Sequence, residues 1–115
     1  MSADAALLLA TQAAQLPFEA LPAAALQASR NDILDTLGVA IAGVDTPGCR
    51  ELIATLRAAY PGTQAGILCS GLRTSAPEAA LANATLAHAL DFDDTHDKAF
   101  LHAGISVVPA ALAMA

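Results

Sequence analysis

One stretch of the chain, HALDFDDTHDKAFLH at positions 88–102, holds most of its chemically versatile side chains. It contains all three histidines, four of the eight aspartates and the only lysine of the 115 residues. A histidine beside a carboxylate can transfer protons near neutral pH, and an aspartate whose pKa is raised by burial can do the same. The stretch therefore predicts an acid–base site.

Two residues that flank this stretch are the strongest candidates for proton transfer. Asp91 and His102 each lie at the edge of a predicted helix, with a loop between them. Thr95 would share a helical face with Asp91 if the helix continued that far. His88, one turn before Asp91, is interpreted as a supporting or core residue. Asp93 is interpreted as a turn cap, because aspartates at loop starts often bond nearby amides.

The segment after His102 could bind an anion. Gly104 leads into a helix that is expected to open near Ser106, and the free amides at a helix start can receive a carboxylate or a phosphate. An anion site beside an acid–base site would suit an acidic substrate.

A metal centre is the competing interpretation of the same stretch. Histidine and aspartate supply the mixed nitrogen and oxygen ligands that zinc or iron accepts. The spacing is irregular, however, no H-E-x-x-H motif is present, and Cys49 and Cys69 stand apart from each other. We therefore expect no metal and no cofactor, and a metal-dependent hydrolase is kept as an alternative.

Prolines and glycines divide the first half of the chain into predicted helices. One helix is expected over 3–15, ended by the two prolines of LPFEALP, and a second from Pro22 to Gly43. A third follows over 52–59 and closes at YPG. The segment QAGILCSGLRTS is expected to be one extended strand or an irregular crossing.

The second half predicts two helices joined by a long loop. The motif SAPE at 75–78 predicts a capping box and a helix beginning at Ala76, which is apolar on nearly every side and so expected to be buried all round. GISVVPAALAMA predicts a final helix from about Ser106. The connection over 92–103 is longer than most, and such loops often carry functional residues.

Composition narrows the class of protein. Hydrophobic residues make up 56% of the chain and aromatic residues only 3%, which favours an all-α fold of closely packed helices. With five basic residues and a net charge of −6, nucleic acid is not an expected partner. Asp4 stands where a secretory signal would be basic, and no apolar run is long enough for a membrane span. We expect a cytoplasmic protein with two buried, reduced cysteines.

The apolar excess also bears on what surrounds this chain. It implies an oligomer interface, a missing remainder of the polypeptide, or both. No cap, glycine or polar residue follows the last predicted helix at Ala115. The chain is therefore expected to be a fragment of a longer one.

Three segments resemble the N-terminal region of the MmgE/PrpD family. They are ILDTLGVAIAG (33–43), SAPEAALANATLAHALDFDDTH (75–96) and LHAGISVVPAALAMA (101–115). The family includes 2-methylcitrate dehydratase, cis-aconitate decarboxylase and iminodisuccinate epimerase. The resemblance implies that residues 1–115 form the N-terminal part of a bundle-like helical domain. It also implies a homodimer, and an α+β domain that is absent here.

The resemblance also implies roles for individual residues. By motif, Asp91, Thr95 and His102 match site positions of the family; Asp91 and His102 are expected to be catalytic and Thr95 to bind substrate. Gly104 is expected to bind substrate for another reason, the free amides that follow it. Further supporting residues would be His88, Asp94 and His96. One departure is that many members have His-Pro where this chain has His102 followed by Ala103.

The expected function is that of the N-terminal portion of a metal-independent lyase. It would be a dehydratase or decarboxylase, similar to 2-methylcitrate dehydratase, acting on a small di- or tricarboxylic acid. The alternatives are an epimerase of the same family and a non-catalytic helical assembly module. Because the family draws further basic groups from later segments, the 115 residues alone are expected to be inactive.

Overall fold

The computed structural model describes residues 4–115 and confirms the all-α class. The described chain folds into helices α1 (Ala5–Gln15), α2 (Ala23–Gly43), α3 (Cys49–Ala59), α4 (Ala76–His88) and α5 (Gly104–Met114), a short 3-10 helix (Phe18–Ala20) and strands β1 (Ala65–Ile67) and β2 (Leu72–Thr74). It divides into two compact units, one ending at Arg30 and the other spanning Asn31–Ala115.

The first unit contains α1, whose start is set by a side chain. The carboxylate of Asp4 accepts a hydrogen bond of 2.9 Å from the Ala6 amide, which satisfies one of the free donors of the first turn. The helix expected over 3–15 is confirmed from Ala5 to Gln15, and residue 3 lies outside the described residues. No residue of α1 is buried.

In the second unit, α2 packs on α4 through small side chains. Val39 and Ala40 of α2 are buried against Leu86 and Ala87 of α4. A Cβ atom on Gly43 would overlap the Leu86 carbonyl oxygen, so only glycine permits this close approach. The same glycine ends α2, as expected from the sequence.

The segment expected to be a single strand or a crossing is instead an antiparallel hairpin. Ala65 pairs with Thr74 and Ile67 with Leu72. The hairpin is tied to α4 by Asn83, whose Oδ1 accepts from the Leu68 amide at 2.8 Å and whose Nδ2 donates to the Gly66 carbonyl at 3.0 Å. The single-strand prediction was wrong because the hydrogen bonds from Asn83 join residues far apart in the sequence, and such contacts leave no pattern in the segment itself.

The two cysteines differ in exposure. Both are free thiols, as expected, and Cys49 is buried. The expectation that Cys69 is buried was wrong, because it lies exposed in the turn of the hairpin with φ of 58°.

Helix α4 begins at Ala76 as expected, but not through the predicted capping box. The Ser75 side chain makes no capping bond, and the Ala76 amide donates instead to Gln64 Oε1 at 3.1 Å. The expectation that α4 is buried all round was also wrong. Ala79, Ala82 and Leu86 are buried, whereas Leu81 on another face is 55% exposed.

Helix α5 packs against α4 and begins at Gly104, two residues before the expected start. Pro109 therefore lies inside the helix, where it is buried, rather than in its first turn. The connection over 89–103 joins the end of α4 to the start of α5, so these two helices hold both ends of the loop in place.

A search of residues 4–115 finds no helix with the length and hydropathy to cross a bilayer.

Candidate functional site

The loop leaves α4 through a sharp reversal. The amide of Asp91 donates to the His88 carbonyl at 3.0 Å, and Asp91 takes a left-handed conformation with φ of 51°. Aspartate adopts this conformation more readily than most residues other than glycine. Since α4 ends at His88, Asp91 and Thr95 do not share a helical face.

Asp93 lies buried between two histidines. Its side chain is only 1% exposed, and His88 Nδ1 donates to its Oδ1 at 2.9 Å. On the other side, His102 Nδ1 lies 3.0 Å from Asp93 Oδ2. The interpretation of Asp93 as a turn cap was therefore wrong. No sequence signal identifies the residue, because its burial results from the packing of the loop against α4 and α5.

The buried carboxylate changes the acid–base behaviour of His88. The hydrogen bond to Asp93 is the largest effect, and it raises the pKa of His88. Desolvation lowers this pKa, whereas the negative charges of Asp93 and Asp91 raise it. A cationic His88 also compensates the negative charge of Asp93, which would otherwise be costly to bury.

His102 has a carboxylate near each ring nitrogen. Its Nε2 lies 3.8 Å from Oδ1 of Asp91, whose side chain is 81% exposed. Its Nδ1 is buried and close to Asp93 but forms no hydrogen bond with any described residue. The ring meets that of His88 edge-on, with centroids 5.1 Å apart. A carboxylate beside Nδ1 favours the proton there, which leaves Nε2 free to accept one.

These four side chains form what we call the His–Asp cluster: His88, Asp91, Asp93 and His102. One nitrogen or oxygen from each lies within 4.8 Å of all the others. Two imidazoles and two carboxylates can relay protons, and they are also a donor set that accepts a transition metal. The fold thus brings these four residues together, although their irregular spacing in the sequence matches no metal-binding motif.

Asp94 points away from the cluster to the start of α5. Its Oδ1 accepts from the Gly104 amide at 2.8 Å, so the first amide of this helix already has an acceptor. A Cβ atom on Gly104 would lie 2.5 Å from Asp94 Oδ1 and 2.6 Å from Asp32 Oδ1, and only glycine leaves room for both. Partial burial is the largest cause that raises the pKa of Asp32, and the negative charges of Asp94 and Asp35 raise it further.

Thr95 and His96 lie in the exposed part of the loop. The amide of His96 donates to the Leu101 carbonyl at 2.8 Å, and its Nδ1 accepts from the Ala99 amide at 3.1 Å. His96 therefore holds the outer loop together, and neither Thr95 nor His96 belongs to the four side chains that converge.

Two cavities differ in their relation to the cluster. One of about 350 Å³ opens beside His88 and is lined by Thr85, Ala89 and Ile105, among others. A larger one of about 620 Å³ lies between α3 and the hairpin and contains no member of the cluster. We place the candidate site at the His–Asp cluster, of which His88 lines the smaller cavity.

Comparison with known proteins gives a family. The MmgE/PrpD N-terminal domain matches over residues 8–115, a span that includes the whole His–Asp cluster. No curated protein and no solved structure matches the chain. The match covers nearly all of the sequence and agrees with the helical fold, and the chain therefore belongs to the MmgE/PrpD family, whose N-terminal domain it carries.

Proposed function

We propose that this chain is the N-terminal part of a metal-independent lyase, a dehydratase or decarboxylase similar to 2-methylcitrate dehydratase. Its substrate would be a small di- or tricarboxylic acid, and the enzyme would work as a cytoplasmic homodimer. The observation that carries the proposal is the placement of His102, with Asp93 beside its Nδ1 and Asp91 facing its Nε2. A histidine held in this way is suited to general acid–base chemistry.

In this proposal Asp91 and His102 are the catalytic residues. They exchange protons with the carbon next to a substrate carboxylate or with the departing group. Removal of such a proton, or of carbon dioxide, builds negative charge on the substrate. Donors aimed at that charge stabilise the transition state more than the ground state.

Thr95 and the start of α5 would bind the substrate carboxylate. Thr95 is exposed and follows Asp93 of the cluster by two positions in the sequence. Its hydroxyl can donate a hydrogen bond. The Gly104 amide is bonded to Asp94, so a carboxylate that reached it would replace Asp94 as acceptor. Such a replacement is possible because the substrate carboxylate and the Asp94 carboxylate are both negatively charged, and the N-terminus of a helix stabilises negative charge.

Asp93 and His88 are positioning residues in this scheme. The buried Asp93 lies between the two imidazoles and orients them from their Nδ1 sides. Removal of Asp93 should therefore lower activity, because both imidazoles would lose the carboxylate that orients them.

The proposal is tested with Asp91→Asn and His102→Gln in the full-length enzyme that contains this chain. Each variant should lose about 10²- to 10⁴-fold in kcat, the usual contribution of a general acid or base. The assay uses methylcitrate, aconitate and iminodisuccinate as candidate substrates. The control is Asp97→Asn, an exposed loop carboxylate outside the cluster. Near-normal turnover in both cluster variants would refute the assigned roles.

An epimerase of the same family is the closest alternative. It would use the same two groups to remove a proton from one carbon and return it there. A product analysis by chiral chromatography separates this outcome from loss of water or carbon dioxide.

A non-catalytic assembly module is the alternative from another class. It is favoured by the exposed apolar side chains of α1, of which Leu7 is 66% and Leu9 68% exposed. Sedimentation analysis together with a substrate-binding titration discriminates the two. Assembly without any binding of a polycarboxylate would favour the module.

A further inference from the structure

We infer that His88, Asp93 and His102, with Asp91 as a fourth ligand, bind a divalent transition-metal ion such as zinc, and that the bound ion inhibits the enzyme. The binding stands on the geometry of the His–Asp cluster alone. Only the inhibition rests on the proposed function.

The spacing of the donor atoms fits a tetrahedral ion. Zinc with nitrogen and oxygen ligands at about 2.0–2.2 Å holds those ligands about 3.3 Å apart. Here His88 Nδ1 is 2.9 Å and His102 Nδ1 is 3.0 Å from the nearest Asp93 oxygen. All four residues offer atoms within 4.8 Å of one another, so small rotations of the exposed Asp91 side chain complete the set.

An unsatisfied nitrogen in the cluster points to a ligand. His102 Nδ1 is buried but has no hydrogen-bond partner among the described residues, although it lies beside a carboxylate. Buried polar atoms are rarely left in this state, and each such case calls for an explanation. A metal ion between His102 Nδ1 and Asp93 would satisfy both groups.

The chemistry of the ligands selects the ion. Imidazole nitrogen suits zinc, copper and nickel, whereas magnesium and calcium prefer a shell of oxygens. Two carboxylates also balance the charge of a divalent cation. The ion has an entry path, because the Asp91 side chain is 81% exposed at the mouth of the cluster.

The cluster is supported by elements that would keep it in place around an ion. His88 ends α4, and His102 lies two residues before α5, which packs on α4. Next to Asp93, the bond from the Gly104 amide to Asp94 anchors the loop. Ligands on such supported elements need little ordering to bind.

Metal binding would occupy the groups that the proposed reaction uses. An ion held by Asp91 and Asp93 takes carboxylate lone pairs, and an ion on His102 Nδ1 leaves the ring proton on Nε2, which then cannot accept another. Zinc should therefore inhibit at the stoichiometry at which it binds.

The test titrates the full-length protein with Zn²⁺ by calorimetry and with Co²⁺ by visible absorption. We expect one ion per chain and the intense absorption of four-coordinate cobalt. His88→Gln and His102→Gln should each weaken binding at least about 10-fold. His96→Gln is the matched control, because it removes the remaining histidine without touching the cluster, and it should bind as the unmodified protein does. Circular dichroism checks that each variant is folded.

Several results would overturn the inference. They are the absence of stoichiometric binding, an equal loss of affinity in His96→Gln, and binding of Mg²⁺ as tight as that of Zn²⁺. Zinc binding without loss of turnover would overturn the inhibition alone. If no candidate acid is turned over by the metal-free protein, the proposed function fails, while the titration still decides the metal site.

Discussion

At the scale of single residues, Asp93 organises the candidate site. It is a buried carboxylate that contacts two imidazoles, and a buried charge of this kind is tolerated only with such partners. The raised pKa of His88 is the measurable consequence of this arrangement.

Replacing Asp93 tests this organisation directly. Asp93→Asn removes the negative charge and keeps the shape, so the pKa of His88 should fall from its raised value toward or below 6.5, the value of a free histidine. The measurement is an NMR titration of the histidine ring protons. Asp97→Asn, an exposed loop change, serves as the control. An unchanged His88 pKa in Asp93→Asn would contradict the assigned contact.

Asp32 allows a second test at the scale of single residues, because its ionised carboxylate is expected to lower the stability of the folded protein. Its folded-state pKa is raised above 3.8, so the folded protein binds this proton more tightly than the unfolded chain does. Stability therefore falls as the pH rises from 3.8 through the raised value, and the ionised group costs stability at neutral pH. Asp32→Asn should raise the free energy of unfolding at pH 7 relative to the unmodified chain.

The gain from Asp32→Asn should shrink as the pH is lowered through the raised pKa, because the unmodified side chain then becomes neutral. Urea unfolding at several pH values measures both effects. A variant that is less stable at pH 7, or a gain that persists at low pH, would show that partial burial and the charges of Asp94 and Asp35 do not destabilise the ionised Asp32.

The sequence was informative for some residues of the site and not for others. Asp91 and His102 were singled out as the two ends of one loop, and in the structure their side chains lie 3.8 Å apart. Asp93 was missed because a carboxylate near two histidines is visible only when tertiary packing brings them together. Their roles in catalysis stay predictions.

At the scale of elements, the contact between α2 and α4 depends on a glycine. A Cβ atom on Gly43 would overlap the Leu86 carbonyl oxygen of α4, which is backbone and cannot rotate away. Val39 and Ala40 of α2 and Leu86 and Ala87 of α4 belong to one core cluster of the second unit.

Gly43→Ala should therefore destabilise the protein by about 1–3 kcal/mol, the usual cost of overpacking a core. Gly38→Ala is the matched control in the same helix, where a Cβ atom meets nothing within 4 Å. That change should stabilise by about 0.5–1 kcal/mol through helix propensity. Urea denaturation compares the two, and equal effects of both changes would contradict the close approach.

Helices were predicted better than strands for a physical reason. Pro22, Gly43 and the YPG turn act locally, so the sequence indicates where α2 begins and ends and where α3 stops. Each strand of the hairpin has only three residues and depends on bonds from Asn83 of α4. A contact across the fold leaves no local pattern, and the hairpin could not be read from its own segment.

At the scale of the whole molecule, the second unit brings the two ends of a long loop together. Helices α4 and α5 pack side by side, and the His–Asp cluster lies where one ends and the other begins. The family places this domain among enzymes, and the proposal assigns proton transfer to this junction.

The most direct test of the central claim is exchange of substrate protons with solvent. The full-length enzyme is incubated in D₂O with each candidate polycarboxylate, and ¹H NMR follows the carbon-bound proton next to a carboxylate and deuterium entering any product. We expect enzyme-dependent incorporation that falls at least about 10²-fold in His102→Gln, as for loss of a general acid or base. Incorporation at an equal rate in His102→Gln and the unmodified enzyme would contradict the account.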